Sequence, residues 1–523
     1  MRSSLIDLEG KQFDVAVIGA GLIGANAAQH LTAAGFTVLI VDKEDFCYGA
    51  SSRSGRVLHC GLRYLGAEKS IWEFVRNPNK LFVGMRMARH AMMDRADFVS
   101  NTPERFRSES VCFPVYAGGY APWQVKLAFR MLQALGPSRV PLGYRWHESS
   151  EIKNIPIAKW LRDQDKIRGL AMFTEYNWNW PERVCVDILL DAERMGASIR
   201  NYTQVCGLKR TGDQWQLELR DTLIPRSRVH VQASKVLNLA GPWIDEVNSM
   251  TGTRARRLIK ATKGVHIAVR LPPECKGYTL YTFNREKEGL TIHPLGDLHQ
   301  IGPTETLFEG NPDDARPLDS EIDWLIEETN YLLPSWRLKR DHVLFAWAGV
   351  RPLGADPRYP KGKRSREIHD LAKDGMPGVY AMTAGPIMTS RSAGKELTGL
   401  IASKLKPSRP PQEPSYKARS FPETPDSPLL LEDYPAIKLS DLSAAARGEH
   451  VTSLVDLLCR RVDAGWTASM GYEAAANAAQ EVAPVLGWDR SQVDAEVSRY
   501  QEYLKREYCF TPGVTHPPVQ PWS

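Results

Sequence analysis

A glycine-rich turn between two apolar runs constrains the fold of this chain more than any other stretch of its sequence. The first run, residues 15–18, reads VAVI and is typical of a buried parallel strand. Three glycines follow it at the GxGxxG spacing, namely Gly19, Gly21 and Gly24. An Ala-rich segment of helical composition comes next, and the second apolar run, residues 37–41, ends on Asp42. This order predicts a strand, a tight turn, a helix and a second, parallel strand.

Each part of this turn has a mechanical role in binding a dinucleotide. Gly19 permits the tight turn, Gly21 lets the backbone approach a pyrophosphate, and Gly24 lets the helix pack closely on the sheet. The helix N-terminus offers N–H groups and a partial positive charge to the phosphates. Asp42 can accept a hydrogen bond from a ribose hydroxyl. The pattern therefore predicts a Rossmann-type site that takes FAD or NAD ahead of NADP.

The composition is that of a globular protein without metal or nucleic-acid signatures. The 523 residues are enough for two or three domains, and a net charge of +6 without a long basic block favours an anionic substrate or membrane surface over nucleic acid. The eight cysteines show no metal-ligand spacing, so we expect no metal site. The first residues lack the apolar core of a signal peptide, and no apolar run approaches the ~18 residues of a spanning helix. We therefore expect a cytoplasmic protein bound peripherally to the inner membrane.

Two later strand ends predict returns to the nucleotide-binding fold. An apolar strand at 235–239 runs into a sharp turn at Ala240 and Gly241. A second apolar strand ends near Gly385, and a helix with exposed N–H groups opens at Thr389. Because strand ends of this kind come after long insertions, we predict that the nucleotide-binding fold is interrupted rather than continuous.

The predicted fold class is α/β, or α+β overall, with three parts. A Rossmann-like nucleotide-binding domain is interleaved with an antiparallel-sheet substrate domain within residues 1–405. A linker with seven prolines, 406–428, then leads to a C-terminal helical domain at 429–523. Within the first part, the predicted nucleotide-binding segments are about 10–100, 165–260 and 345–405, and the predicted cap segments are about 101–164 and 261–344.

Two stretches of the first half are predicted to be helical. Residues 70–98 carry apolar side chains among charges. The stretch 121–135 is amphipathic, and we expect it to pack on its own domain, with a membrane-surface role as the alternative. Its predicted apolar face and the cations that flank it are Trp123, Leu127, Met131 and Leu132, with Lys126 and Arg130.

A cluster of polar side chains follows the nucleotide motif. Residues 49–56 are small and basic, and we expect them to form a loop that returns over the cofactor. His59, Arg63 and Tyr64 come directly after this loop. Each of them alone is readily explained as a structural residue, but three together beside a phosphate-binding turn favour a functional site.

The order of the remaining motifs resembles the FAD-dependent glycerol-3-phosphate dehydrogenases of the quinone-linked, aerobic type. The resemblance covers nearly the whole chain. The motifs that carry it are GAGLIG at 19–24, SSRSGRVLHCGLRYL at 51–65, ERVCVDILLDAERMGA at 182–197, NLAGPW at 238–243, KGVH at 263–266, IGPTET at 301–306, WAGVRPL at 347–353, the Ser365-Arg366 pair, and LLCRRVDAGW at 457–466.

The resemblance implies FAD as cofactor, a phosphorylated polyol as substrate and a membrane quinone as electron acceptor. It leaves a homodimer open. The implied FAD-binding residues are Gly19, Gly21, Gly24, Asp42, Ser51, Ser52, Ala240, Gly241, Gly385 and Thr389. The implied catalytic residues are His59, Arg63, His266 and Arg351, and the implied substrate-binding residues are Arg63, Tyr64, Arg351 and Arg366. A neutral histidine is the base that such an oxidation needs near neutral pH, and forked arginines suit a phosphate dianion. The sequence does not distinguish which histidine is the base.

One departure from the family motif affects the substrate side. The motif GGKLTTYR of the family stands here as AGPIMTSR at 384–391, so that Pro386 replaces a lysine. A related polyol phosphate, such as a tetritol phosphate, is therefore a rival to glycerol 3-phosphate. The alternative functions are a flavin oxidase of an amine or hydroxy acid that uses O₂, and a flavin-binding protein that has lost its activity.

Overall fold

The computed structural model describes residues 2–65, 77–514 and 516–521, apart from the side chains of Arg63 and Lys80. In chain order, the strands are β1 (Gln12–Ile18), β2 (Val38–Val41), β3 (Val57–Leu58), β4 (Phe106–Tyr116), β5 (Arg145–His147), β6 (Ile167–Trp178), β7 (Ser198–Arg200), β8 (Thr203–Thr211), β9 (Gln214–Asp221), β10 (Arg228–Asn238), β11 (Ile259–Val269), β12 (Tyr278–Phe283), β13 (Gly289–Leu295), β14 (Leu298–Gly302), β15 (Thr306–Leu307), β16 (Val343–Gly354), β17 (Glu367–Asp370) and β18 (Val379–Thr383).

The helices of the described residues are α1 (Leu22–Ala33), α2 (Leu62–Leu65), α3 (Pro78–Asn101), α4 (Pro122–Leu135), α5 (Pro181–Arg194), α6 (Ile244–Ser249), α7 (Asp319–Leu332), α8 (Ser390–Ala402), α9 (Leu439–Gly448), α10 (Leu454–Asp456), α11 (Ala475–Leu486) and α12 (Arg490–Tyr508). The predicted helix at 70–98 is present from Pro78 onward, and its first residues up to 76 lie outside the described part of the chain.

The first sheet carries the glycine-rich turn. Its strands lie in the order β17-β18-β10-β1-β2-β7, and β9 and β8 extend it from β10 by antiparallel pairing. β1 pairs in parallel with both β2 and β10, and β10 pairs in parallel with β18. The apolar runs that predicted β1 and β2 are buried, as a parallel sheet covered on both faces requires. The predicted strand, turn, helix and parallel strand are therefore confirmed.

The second sheet is the larger one and is mostly antiparallel. Its strands lie in the order β15-β11-β14-β13-β12-β4-β6-β3, and β16 and β5 pair with β11 and β6. Within it, β13 and β14 pair as an antiparallel hairpin. β6 and β16 belong to this sheet, although the sequence analysis assigned their residues to nucleotide-binding segments.

The helix α4 buries only one residue, Leu132, of its predicted apolar face. Its buried residues are Val125, Phe129 and Leu132. Trp123 and Leu127, which were expected on the packed face, are 59% and 43% exposed. The periodicity of the sequence identified the helix correctly, but two apolar stripes compete on its surface, and contact with the second sheet decides which one is buried.

The proline-rich segment 406–428 is fixed to the first sheet's helices rather than extended in solvent. Backbone N–H groups of Arg409 and Gln412 donate to carbonyl oxygens of Gly35 and Ala33, at 2.9 and 2.7 Å. The helical region after it is joined to the rest of the chain by buried ion pairs, such as the pair between Arg183 and Glu449, with an N–O distance of 2.7 Å.

Asp45 makes a second buried connection to the helical region. Its carboxylate accepts two hydrogen bonds from the guanidinium of Arg461, at 2.7 and 2.8 Å. Burial alone would raise the pKa of Asp45, but the positive charges of Arg461 and Arg460 lower it, and the resulting pKa is about 2. The carboxylate therefore stays ionised, and the helical region is attached by charges that water does not reach.

Candidate active site

The glycine turn after β1 is closed so tightly that side chains are excluded from it. Gly19 has a φ of 101°, and a Cβ there would lie 2.6 Å from the carbonyl oxygen of Leu239. A Cβ on Gly24 would lie 1.9 Å from the carbonyl oxygen of Gly19. Gly21 caps α1, and the first turn of that helix carries no acidic residue. The helix N-terminus is therefore open to a phosphate, and its residues fit the pyrophosphate of FAD.

Asp42 directly follows β2, and its carboxylate contacts the glycine turn. Its carboxylate accepts hydrogen bonds from the backbone N–H groups of Ala20, at 2.7 Å, and Glu44, at 3.0 Å. Burial raises the pKa of Asp42 to about 6. Each oxygen keeps a further lone pair, so this residue also fits a ribose diol.

The two serines of the loop 49–56 play different parts. The Ser51 hydroxyl oxygen accepts a hydrogen bond from the N–H of Leu22 at 3.1 Å, which places it beside the turn. The Ser52 hydroxyl is buried and donates to the carbonyl oxygens of Tyr48 and Gly49. Ser51 can therefore face a bound diphosphate, whereas Ser52 holds the loop in shape.

The expected turn after β10 leaves space for a ligand. Gly241 has a φ of 58°, and a Cβ built there meets no atom within 4 Å. The N–H of Ala240 donates to the side chain of Asn238 at 3.3 Å. Gly385 lies at the end of β18, where a Cβ would lie 3.1 Å from the side chain of Ile23 on α1.

A cavity of about 870 Å³ lies between the end of the first sheet and the face of the second. Its lining includes four residues that the sequence predicted at the site: His59, His266, Arg351 and Gly385. Pro386 lines it as well. Further lining residues that the sequence analysis did not select are Arg53, Arg56, Glu175, His293 and Arg364. Arg53 and Arg56 stand in the quoted motif SSRSGR, so their motif was a usable signal. The only sequence signal for His293 is its place in an alternating strand.

His266 is a buried, uncharged base candidate on β11. It is 3% exposed, and its ring stacks on Trp347 with a centroid distance of 5.2 Å and an interplanar angle of 14°. Burial, and then the positive charge of Arg351, lower its pKa well below the ordinary value. Its Nδ1 has no hydrogen-bond partner among the described residues. A Cβ on Gly55 would lie 3.2 Å from Nε2, so the loop approaches the ring closely.

His59 has a different hydrogen-bonding state. Its Nδ1 accepts a hydrogen bond from the N–H of Gly61 at 3.1 Å. A neutral imidazole that accepts at Nδ1 carries its proton on Nε2. His59 is therefore set up as a donor in the cavity, and the ring of Tyr64 lies against it at 5.7 Å.

Arg351 on β16 lies beside a glycine that makes room for it. A Cβ on Gly264 would lie 2.2 Å from Nη2 of Arg351, and Nη2 donates weakly to the carbonyl oxygen of Thr304 at 3.5 Å. The guanidinium therefore lies in the cavity wall next to His266, where it can bind an anion.

Several expected site residues are absent from the lining of the cavity within the described part of the chain: Tyr64, Arg366 and Thr389, and the residues of the dinucleotide turns, Gly19, Gly21, Gly24, Asp42, Ser51, Ser52, Ala240 and Gly241. Arg366 donates to the carbonyl oxygen of Thr389 at 2.9 Å and pairs with Glu396 at 2.6 Å, which ties it to α8. Thr389 itself is buried before α8, and the ring of Tyr64 lies 5.7 Å from the ring of His59. The backbone of Arg63 lies in α2, and its side chain is outside the described part of the structure.

Comparison with known proteins gives one family and a consistent group of relatives. The family model for FAD-dependent oxidoreductases matches residues 14–400. A glycerol-3-phosphate dehydrogenase of Synechocystis is 26% identical over 96% of this chain and 99% of its own length. An aerobic glycerol-3-phosphate dehydrogenase of Staphylococcus saprophyticus is 27% identical over 76% of this chain and 69% of its own length.

Solved structures show the same fold. The glycerol-3-phosphate dehydrogenase of Bacillus halodurans, complexed with FAD, superimposes with a TM-score of 0.73 at 19% identity over 96% of both chains. The L-α-glycerophosphate oxidase of Mycoplasma pneumoniae, with FAD bound, gives a TM-score of 0.60 at 15% identity over 79% of this chain and all of the other. The predicted fold class and the predicted cofactor, FAD, are confirmed.

Proposed function

This chain belongs to the family of FAD-dependent oxidoreductases, and from that premise we propose that it oxidises the secondary alcohol of glycerol 3-phosphate or of a related polyol phosphate, such as a tetritol phosphate. The observation that carries the proposal is the pairing, in one cavity, of a buried neutral histidine, His266, with the guanidinium of Arg351. The names of the relatives support the same substrate class.

The chemistry divides between the cofactor and the chain. Bound FAD supplies the hydride acceptor. The chain must take the hydroxyl proton and hold the substrate so that its carbinol carbon faces the flavin. His266 suits the first task because it is neutral at physiological pH and its Nδ1 has no partner among the described residues. His59, which carries its proton on Nε2, suits hydrogen-bond donation to a substrate oxygen.

The anionic end of the substrate is assigned to Arg351. Arg63 is kept in this proposal on its motif position alone. Pro386 lines the cavity where the family motif has a lysine, and it brings neither charge nor N–H to the substrate. The pocket therefore offers one cation fewer than the family motif, which supports a substrate of different shape from glycerol 3-phosphate.

The electron acceptor in our proposal is a membrane quinone, reached by peripheral contact with the bilayer. Within the described ranges, every helix is too short or too polar to span a membrane. α3 packs on α4, and together they expose five large apolar side chains, by between 42% and 70%: Phe82, Val83, Met93, Trp123 and Leu127. Lys126 and Arg130 flank them on α4. Such a patch suits the interface of an anionic bilayer.

The direct test is anaerobic bleaching of the flavin by a panel of alcohols. We expect glycerol 3-phosphate or a tetritol phosphate to reduce the bound FAD, and glycerol or erythritol to reduce it at least about tenfold more slowly because they lack the anion. Reoxidation by a soluble quinone should be faster than by O₂. Efficient bleaching by an amino acid with fast reoxidation by O₂ would instead support an oxidase, and bleaching by none of these compounds would refute the proposal.

A further inference from the structure

Two side chains of the C-terminal helical region touch the cavity walls from behind. Trp466 is 6% exposed, and Glu507, near the end of α12, is fully buried. Neither is among the described residues that line the cavity, but each contacts residues that do. This arrangement gives the helical region a direct physical link to the site.

Trp466 supports both Arg56 and His266. The guanidinium carbon of Arg56 lies 3.6 Å from the centre of the Trp466 ring, and the same guanidinium donates to Glu182 at 2.7 Å. The Trp466 ring also meets Trp347 edge to face at 5.5 Å, and Trp347 is the residue on which His266 stacks. A buried arginine over an aromatic face is held there by cation–π attraction, so the indole fixes its position.

Glu507 holds Arg53. Its Oε2 accepts from Nη2 of Arg53 at 2.9 Å, and its Oε1 pairs with Arg316. Arg53 is 8% exposed. Removing the carboxylate would leave the buried guanidinium of Arg53 and the quarter-exposed guanidinium of Arg316 without the anion that they share, so Arg53 must shift or stay buried without its ion pair.

The two supported arginines belong to one segment, the loop 49–56. Ser51 of this loop contacts the glycine turn through its hydrogen bond from Leu22, and Arg53 and Arg56 line the cavity. Whatever fixes the arginines therefore also fixes the part of the loop that faces the cofactor.

We propose that Trp466 and Glu507 are positioning residues of the active site: Glu507 acts through Arg53 and Trp466 acts through Arg56 and the Trp347–His266 stack. The helical region thus completes a site whose other parts all come from residues before 406. The effect expected on FAD binding depends only on membership of the family, whereas the effect expected on the kinetics rests on the proposed function.

The experiment compares full-length Glu507→Gln with Glu449→Gln. Glu449 forms a buried pair with Arg183 between the same two parts of the chain, and neither residue lines the cavity, so its loss measures the cost of loosening the helical region. We expect both variants to melt at lower temperature. Only Glu507→Gln should weaken FAD binding, by about tenfold or more, as measured by quenching of flavin fluorescence.

A second pair of variants tests Trp466. The charged and titratable groups facing His266 are Arg351, His293 and Arg56, and burial is the main reason for its low pKa. Trp466→Leu removes the aromatic face against Arg56, which keeps its pair with Glu182, and opens a cavity to water, so the pKa of His266 should rise. The acid limb of kcat/KM for flavin reduction should then move to higher pH by about half a unit or more. Trp466→Phe keeps an aromatic face, so the acid limb should lie close to its wild-type pH.

The outcomes separate the inference from the proposed function. If Glu507→Gln and Glu449→Gln bind FAD equally well, and Trp466→Leu leaves the pH profile of wild type unchanged, the positioning role is refuted. If no polyol phosphate reduces the wild-type flavin, the proposed function fails, and the FAD affinities of the two glutamate variants still decide whether the helical region positions the site.

Discussion

At the scale of single residues, Arg351 is the part of the site with the clearest electrostatic consequence. It lies in the cavity wall, and its positive charge adds to burial, the larger cause, in lowering the pKa of His266 beside it. Arg351→Ala should raise KM for the phosphorylated substrate about 10- to 100-fold, since a charge-assisted hydrogen bond contributes about 1.5–3 kcal/mol. It should also lower kcat, because the carbinol carbon loses its alignment.

Arg358→Ala is the control for that substitution. Arg358 is an exposed arginine on the connection after β16 and pairs only with Asp356 of its own loop among the described residues. It should leave both constants unchanged in steady-state assays of quinone reduction. Equal effects of the two variants, or an unchanged KM in Arg351→Ala, would contradict the assignment of the anion to Arg351.

Pro386 offers a gain-of-function test at the same scale. Its backbone has φ of −70° and ψ of 146°, which any residue adopts, and its side chain lines the cavity. Pro386→Lys should therefore lower KM for glycerol 3-phosphate by about tenfold through one added charge-assisted contact. Pro386→Gln supplies length without charge and should not. If both variants respond alike, the missing lysine is not what sets substrate preference.

At the scale of elements, the contact of α1 with the first sheet depends on Gly24. A Cβ there would lie 1.9 Å from the carbonyl oxygen of Gly19, and that atom is backbone, so the helix itself must move. Gly24→Ala should open the pyrophosphate turn and yield protein without bound FAD. The ratio of flavin absorbance to protein absorbance after purification measures this directly.

Gly399 provides the matched control. It lies within α8, and a Cβ built on it meets no atom within 4 Å. Gly399→Ala should keep FAD fully bound and raise stability by about 0.5–1 kcal/mol, because alanine loses less conformational entropy in a helix. A Gly24→Ala protein that carries stoichiometric FAD would show that the turn tolerates more than its geometry implies.

The elements that the sequence predicted well are those with strong local periodicity. β1, α1 and β2 follow from apolar runs around glycines. The prediction from sequence failed where two apolar stripes of one helix have the same period. Trp123 and Leu127 match a helical stripe as well as Val125 and Phe129 do, and only tertiary contact selects between the stripes.

Site residues show the same limit. His59, His266 and Arg351 were predicted from their motifs, and the structure brings them together. Arg366 was predicted from the Ser365-Arg366 pair, yet it points to α8, while Arg364, two residues earlier, lines the cavity. The direction of a side chain on an irregular segment depends on backbone angles that a motif does not encode. The roles of Trp466 and Glu507 arise from contacts across hundreds of residues. Trp466 ends the quoted motif LLCRRVDAGW, whereas Glu507 has no local signal.

At the scale of the whole molecule, the site lies where three parts of the chain meet. The first sheet supplies the glycine turn and the Gly385 strand end, and the second supplies His266, His293 and Arg351. The helical region supports the cavity wall from behind through Trp466, which contacts Arg56 and Trp347. α4, whose Leu127 is partly exposed and also lines the cavity, forms its outer edge. The proposed membrane patch is therefore continuous with the cavity wall.

That continuity leads to a prediction about vesicle binding. The wild-type protein should sediment with anionic vesicles at low salt and be released as salt shortens the screening length to a few Å. The double variant Trp123→Ser with Leu127→Ser should bind at least about tenfold more weakly, since it removes apolar area that would enter the interface.

Leu223 and Ile224, 48% and 61% exposed on the β9–β10 connection, form a matched control pair. Their double serine variant should sediment like wild type. Protein that stays in the supernatant at low salt, or equal losses in the two double variants, would show that the α3–α4 patch does not contact the bilayer.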